Sequence, residues 1–499
     1  MALAVYLSTL APSLTFRHWG HDGGDLISAA RTLGIPHPPG YPTYTLMAWL
    51  ATHLPIGPIG YRANLLSALC AACAVGLLCM TLQTLLPSRR YGWLPAAVAA
   101  LALGLAPLAW SQAIIAEVYA PALCFASLSF FLVIRWRSDG PDMLLWLAAF
   151  ALGLSLGVHP TLAFALVPAL ILLWPLRARW RCPRVLLPGI ALFIAGLAVF
   201  AYLPLAASRQ PPVNWGDPER WDRFLWVVTA KLYRPLVFGL PISGILPRLG
   251  EWGRLLTIQF GWLGWALALL GLPLVFRRDR ALGLASTSWV GVAGLFALLY
   301  DSTDSLVYLL PVMLMPALWL CMGVSHLLDQ AKRLHPWAAS SLSALLLLMP
   351  VSTLTNHLGA VDLSHDRSAE AYVDQVLAGI GAHGLVLVQG DQATFSLWYA
   401  VHAEGQRQDI AVVNTSLLGF DWYRATLRKT YAQLEIPEPA GASSGPHDPV
   451  RELIISNYLR RPVYALDPSS EWHAWFDIAQ VGDAPLYRIL VRSRWEQTQ

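Results

Sequence analysis

The chain has 499 residues, 56% of them hydrophobic and only 13% charged, with a formal net charge of +4. A soluble globular chain carries about 25% charged residues, so this composition excludes an ordinary soluble enzyme and implies an integral membrane protein. The small positive charge argues against nucleic acid as a partner and suits a protein whose cytoplasmic loops are basic.

Apolar runs of roughly 18 or more residues can cross a hydrocarbon core about 30 Å thick. About eleven transmembrane helices are expected, near residues 1–16, 61–86, 92–109, 114–134, 143–158, 161–176, 185–205, 257–276, 283–300, 305–328 and 338–355, the first of them short. Basic residues follow every even-numbered run: Arg89 and Arg90; Arg135 and Arg137; Arg177, Arg179, Arg181 and Arg184; Arg277, Arg278 and Arg280; Lys332 and Arg333. By the positive-inside rule these loops face the cytoplasm. The N-terminus is then cytoplasmic, and the chain beyond about residue 355 is extracytoplasmic. No cleavable signal peptide is expected, because the first apolar run lacks a basic flank. Cys70, Cys73, Cys79, Cys124, Cys182 and Cys321 lie in apolar stretches or a basic loop. They read as small packing residues, with neither a disulfide nor a metal framework among them.

The first long polar stretch, residues 18–44, reads HWGHDGGDLISAARTLGIPHPPGYPTY. On the topology above it is the first outward-facing loop. Asp22 suits an N-cap and Asp25 the first turn of a helix over 22–33, where the helix dipole favours carboxylates. Residues 41–53 are apolar but too short to span and are bounded by Pro42 and Pro55, so a second interfacial helix is expected. The prolines around His37 and the turn at Gly40 fix the loop's path. A carboxylate just outside a membrane can act as general base on an acceptor hydroxyl; the rival reading of Asp22 and Asp25 is a solvated capping pair.

Other polar residues gather on the same side. Glu117 lies at the outer end of the fourth run, where an ionisable group usually faces a cavity or a partner. Tyr119 suits an interfacial aromatic. His159 ends the fifth run before Pro160, as a buried structural histidine or a cavity residue. Asp217 is expected to cap a short helix. Asp301 and Asp304 either line an acceptor path or cap the tenth span.

From about residue 360 the composition turns soluble. Strands are expected at 385–391, 409–418 and in PVYALD and PLYRILV, with helices at 394–405 and 422–434 and a flexible turn at 441–449. This βαβ pattern, with a right-handed crossover, predicts an extracytoplasmic α/β domain over 359–499 after a transmembrane domain over 1–358. Its strand-to-helix turn at Gly390 and Asp391 is where open α/β sheets hold ligands, although a structural cap is the plainer reading.

Several of these stretches also carry a resemblance. TLAPSLTF, DGGDLISAARTLGIPHPPGYPTYT and NLLSAL open it. WSQAIIAEVYA (110–120), GLSLGVHP (153–160), YLPLAASRQPPVNWGDPE (202–219), VTAKLYR (228–234), YDSTDSLVYLLP (300–311) and QGDQATFSLWYAVHAEGQRQDIAVVNTSLL (389–418) continue it. Together they resemble the polytopic membrane family, defined by a domain of unknown function, that includes the protein O-mannosyltransferase-like proteins of the C-type glycosyltransferase superfamily. The resemblance implies transfer of a sugar, mannose being a candidate, from a polyprenyl-phosphate-linked donor to an acceptor hydroxyl of a protein, glycan or lipid outside the cytoplasmic (inner) membrane. It implies a catalytic acid in the first outer loop. Asp22 matches the first acid of the family's motif and Asp25 the second, with Asp22 favoured as base. Two departures stand out: RHWGH intervenes before the motif, and the second acid is Asp where the family has the longer Glu.

Such a donor requires cations on the outer side. Arg209, Lys231 and Arg234 in the 206–256 loop are the candidates for its phosphate, with Arg62 a weaker one. His37, Tyr41, Glu117, His159, Asp217, Asp301 and Asp304 are the candidates for the substrate cavity. No metal motif and no cofactor are expected; a divalent cation held by Asp25, Asp217, Asp301 and Asp304 is the lesser expectation. The rival function is a transporter or lipid flippase, which would place charge at mid-membrane in paired repeats; here it gathers at one face.

Overall fold

The computed structural model describes residues 1–86, 93–438 and 448–492. Arg89 and Arg90, and residues 441–447 of the expected flexible turn, lie outside the described residues. Among the described residues, eight helices are long and apolar enough to cross a membrane: Ile59–Leu85, Tyr119–Arg137, Pro160–Trp180, Pro183–Ala207, Ile242–Arg278, Arg280–Leu299, Ser305–Leu334 and Trp337–Val361. A ninth candidate is the pair Trp93–Gly104 and Pro107–Ala113, bent by 67°.

The expected eleven is therefore too many on this measure. The first run forms only a seven-residue helix, Ala2–Ser8, and stops ahead of Pro12. The fifth forms Met143–Leu156, 14 residues; at 1.5 Å per residue it reaches about 21 Å, short of the hydrocarbon thickness. The eighth starts well ahead of its expected position, at Ile242, and is broken at Gly261, whose φ of 64° no helix accommodates. The expected 206–256 loop thus contains the helix Trp221–Val228 and the first part of a long helix.

The basic loops lie together. Arg137 meets Asp279 at 2.8 Å, and Arg179 meets Asp142 at 2.7 Å, so the ends of the fourth, sixth and eighth apolar runs share one end of the bundle.

At the other end, both expected short helices form, Gly23–Thr32 and Pro42–Thr52. They are covered by protein: Leu26, Ile27, Ala29, Ala30 and Tyr44 are fully buried. Pro42–Thr52 packs into the helical bundle, with Tyr44 and Ala48 in its apolar core, whereas Gly23–Thr32 lies under the α/β part. Its strands are β1 (Leu385–Val388), β2 (Ala411–Asn414), β3 (Val463–Ala465), β4 (Phe476–Gln480) and β5 (Tyr487–Val491), in the order β2-β1-β3-β5-β4. The first three are parallel, and β5 and β4 add an antiparallel hairpin. LVLV of β1 is buried at every position, as a central parallel strand requires. The strands are shorter than expected, and the helix expected at 394–405 runs Asp391–Trp398 before a π-helical turn. The helices Ser368–Gly379 and Pro449–Asn457 and the strand β4 were not expected.

The α/β core does not stop at its own strands. Ile35, Val213, Trp215 and Val227 belong to the same cluster as Val386, Val413 and Phe395. Contact is tightest at Gly24, where a Cβ would sit 2.3 Å from the Phe395 carbonyl oxygen. No other residue type fits there, because backbone lies against backbone.

Candidate active site

Two motifs about 180 residues apart in the chain build the centre of the site. Ile35, leading into PHPPGYP, donates its N–H to the Val213 carbonyl at 2.8 Å, and Trp215 of NWGDP donates back to the Ile35 carbonyl at 3.2 Å. This parallel bridge brings the Trp215 indole N–H to Asp25 Oδ1 at 3.0 Å. The other carboxylate oxygen, Oδ2, accepts from both the backbone N–H and Nδ1 of His37, each at 2.8 Å. Asp25 is fully buried and its three hydrogen bonds all come from protein. It fixes His37 so that Nε2 points towards Asp22, 3.6 Å away. The ring of Phe395 stacks on the imidazole, centroids 6.2 Å apart and planes within 15°.

Asp22 occupies the N-cap position of Gly23–Thr32, but its side chain makes no capping bond. It faces a cavity of about 490 Å³ instead. The cavity collects residues from six separated stretches: Trp19, His21, Asp22, His37 and Tyr41; Tyr119; His159 and Thr161; Tyr233 and Arg234; Tyr300, Asp304 and Tyr308; and Asp391. One wall is aromatic. His159 packs against Tyr41, Tyr119 and Tyr308 at 6.3, 5.6 and 5.3 Å between centroids, and Tyr308 against Tyr300 at 5.3 Å.

The charges in this space perturb one another. About a third of the Asp22 side chain opens onto the cavity, yet its enclosure pushes the pKa up to about 6; His37 opposes that, while Asp391, Asp25 and Asp304 add to it. Burial works against a charged His37, but Asp22 and the hydrogen bond that His37 donates to Asp25 outweigh it and raise the pKa to about 9. At neutral pH His37 is therefore positive and faces a negative Asp22. Burial, and then repulsion from His37, lowers His159 to about 4, so it is neutral. Glu117 is raised well above the carboxylate range, first by burial and then by Asp22 and Asp304. Its Oε1 has no hydrogen-bond partner among the described residues. A buried carboxyl in that position is held protonated.

Of the residues singled out from sequence, Asp22, His37, Tyr41, His159, Arg234 and Asp304 line the cavity. Asp25 and Glu117 are buried beside it and do not reach its surface. The remaining assignments are corrected. Arg209 and Lys231 are exposed and lie outside the cavity: Arg209 follows the end of the helix Tyr202–Ala207, and the two-turn 3-10 helix Lys231–Leu236 presents only part of its circumference to the cavity. Asp217 caps no helix; it binds Asn214 at 3.1 Å and Arg223 at 2.5 Å, and Arg223 continues to Asp421 of the α/β part at 2.7 Å. Asp301 lies 3.9 Å from Arg248, outside the cavity. Arg62 spends its guanidinium on the carbonyls of Thr52, Ile56 and Gly57. Asp25, Asp217, Asp301 and Asp304 thus have separate partners, and among the described residues no group of three or more His, Cys, Asp or Glu is placed to hold a metal ion. All six cysteines are free.

Sequence reasoning missed Trp19, Trp215, Tyr233 and Tyr308, all within the motifs quoted above. Each is an aromatic next to a charged or proline-rich element, which was the available signal.

Comparison with known proteins adds the following. Residues 22–182 match the family model described as "Protein O-mannosyl-transferase TMEM260 N-terminal domain", and residues 369–444 match "TMEM260-associated domain 2". The chain is 26% identical to mouse "Protein O-mannosyl-transferase TMEM260" over 461 residues, covering 87% of this chain and 64% of that protein. It is 22% identical to the Dictyostelium discoideum protein O-mannosyl-transferase of the same name over 522 residues, covering 92% and 62%. The chain thus spans less than two thirds of the length of these relatives. Among solved structures it shares its fold with ArnT from Cupriavidus metallidurans bound to undecaprenyl phosphate, at a TM-score of 0.60 and 13% identity, covering 98% of this chain and 96% of that one. The apo form of the same protein gives a TM-score of 0.60 at 12% identity.

Proposed function

We propose that the chain is an O-mannosyltransferase-like membrane protein, a C-type glycosyltransferase that moves a sugar, mannose by its relatives' names, from a polyprenyl-phosphate-linked donor to an acceptor hydroxyl. The observation that carries this reading is one cavity that joins a partly exposed carboxylate, Asp22, to a cation, Arg234, with apolar cavities beside it. A narrow cavity shares Thr161, Phe296 and Tyr308 with the polar one, and it shares Leu162 and Trp289 with an apolar cavity of about 180 Å³ between Phe130, Leu152, Leu173 and Ala285. A donor with a polar head suits the polar cavity, and the apolar cavities beside it suit hydrocarbon.

In this reading the donor phosphate lies at Arg234, whose guanidinium binds phosphate oxygens in a planar fork. Asp22 takes the proton of the acceptor hydroxyl as its oxygen attacks the anomeric carbon. The bond from that carbon to the phosphate oxygen breaks, and its electron pair leaves with the phosphate, inverting the centre. The phosphate needs little acid assistance, being stabilised as an anion. Asp25 orients His37, and His37 holds Asp22 in register and ionised above about pH 6. Asp22 is assigned as base over Asp25 because every oxygen of Asp25 is already engaged by His37 and Trp215. The site faces the extracytoplasmic side of a cytoplasmic (inner) membrane, with the N-terminus and basic loops inside and the 359–499 α/β domain outside.

The test is release of polyprenyl phosphate from a panel of polyprenyl phosphate sugars by the purified full chain, wild type against Asp22→Asn. Acceptor-dependent release by wild type alone is expected. Equal release by both, or none by wild type from any donor, overturns the proposal.

A further inference from the structure

We propose that Asp391, contributed by the α/β domain, is an acceptor-binding residue of this active site, holding an N–H or O–H of the acceptor beside the hydroxyl that reacts. The inference rests on the transferase reading above and adds a residue and a role to it.

Asp391 stands where β1 hands over to the helix Asp391–Trp398. The strand order β2-β1-β3 means that the chain leaves β1 to one side and returns on its other side, so this turn lies at the sheet's switch point, where open α/β sheets leave a crevice. Gly390 makes the turn with φ 77° and nothing packs where a Cβ would sit. The side chain of Asp391 enters the same cavity as Asp22. It has no hydrogen-bond or ion-pair partner among the described residues, whereas Asp217, Asp301, Asp304, Asp409 and Asp421 all have one. Its position is not free to drift, because four residues further on Phe395 is stacked on His37 and its carbonyl is pressed against Gly24.

Charge and direction choose the ligand. An unpaired carboxylate repels a phosphate, so Asp391 is unsuited to the donor's head and suited to hydrogen-bond donors. Arg234 and the apolar passage by Thr161, Phe296 and Tyr308 lie on elements of the helical bundle. Asp391 comes from the α/β part. It also bears on Asp22 more strongly than Asp25 or Asp304 does. In a displacement with inversion the acceptor approaches opposite the leaving phosphate and next to the base, and Asp391 shares the cavity of that base. A polypeptide carrying its own N–H groups next to a serine or threonine hydroxyl meets these requirements.

The experiment uses the full chain with a polyprenyl phosphate mannose donor and a synthetic serine- and threonine-containing peptide, and it measures KM for each substrate. Asp391→Ala is expected to raise the peptide KM at least tenfold and the donor KM less than twofold. Asp391→Asn, which keeps one hydrogen-bond acceptor oxygen, is expected to recover part of the loss. An unchanged peptide KM in Asp391→Ala overturns the assignment, as does a rise in the donor KM that equals or exceeds the peptide effect, which would place a sugar hydroxyl on Asp391. If Asp391→Ala is poorly folded, Asp391→Asn and Asp391→Ser supply the same pair of constants. Wild type that transfers no sugar from any donor overturns the transferase reading itself, an outcome distinct from an active wild type with an indifferent Asp391.

Discussion

The two ends of the helical bundle treat charge in opposite ways. At the end bearing the basic loops arginine is in excess, and the acids Asp279 and Asp142 are each paired, with Arg137 and Arg179. At the other end Asp22, Asp304 and Asp391 line one cavity, the Glu117 carboxyl lies buried next to it, and Arg234 is the one arginine or lysine among the described lining residues. Partly exposed pairs of the first kind are worth about 0–1 kcal/mol each. Gathering carboxylates of the second kind costs stability, and such arrangements persist where chemistry uses them. The difference separates charge that holds the bundle together from charge that is kept available.

Substitutions can break this comparison. The largest effect is expected from Asp22→Asn, a loss of about 10²- to 10⁴-fold in transfer, the usual worth of a general base, measured as acceptor-dependent release of polyprenyl phosphate. Its Tm should equal or exceed that of wild type, because the native state raises the Asp22 pKa and a neutral amide removes that cost. Asp25→Ala should differ in kind. It leaves His37 buried without its partner and should destabilise by about 3–5 kcal/mol, read by thermal unfolding. Arg234→Ala should raise the donor KM by about 10- to 100-fold, corresponding to about 1.5–3 kcal/mol for a charged hydrogen bond, with Tm little changed. The pH profile sharpens the same point. A base must be unprotonated, so kcat/KM should be level above about pH 6 and fall roughly tenfold per unit below it, tracking Asp22. The smallest effect is expected from Arg137→Ala at the paired end, less than about 1 kcal/mol in stability and no change in kcat. A large loss of transfer there would erase the distinction between the two ends.

What could be read from the sequence follows the range of each interaction. Apolar runs and basic flanks are local, so the membrane character and the company the basic loops keep were legible. The short crossings were not, because Met143–Leu156 is apolar throughout and only its helix ends reveal its length. Asp22 and Asp25 sit three apart, on nearly the same helix face, and nothing near them tells which is free. Trp215, about 190 residues away, decides it by binding Asp25. Arg209, Lys231 and Arg234 look alike in sequence; a helix end and a two-turn 3-10 helix leave the first two outside the cavity. The strand β4 alternates too weakly to be seen, being half exposed along its length. The reach of Asp391 into the cavity depends on the packing of Phe395 against Gly24, a contact across some 370 residues.

That contact bears on how the protein comes into being. Gly24 is made early and Phe395 late, so a ribosome must deliver most of the chain before His37 acquires its stacking partner. Until then the lipid-facing helices can insert and settle while the reaction centre is still half built. A truncated product of interrupted synthesis would sit in the bilayer without a finished pocket, and so without the means to spend the cell's activated sugar.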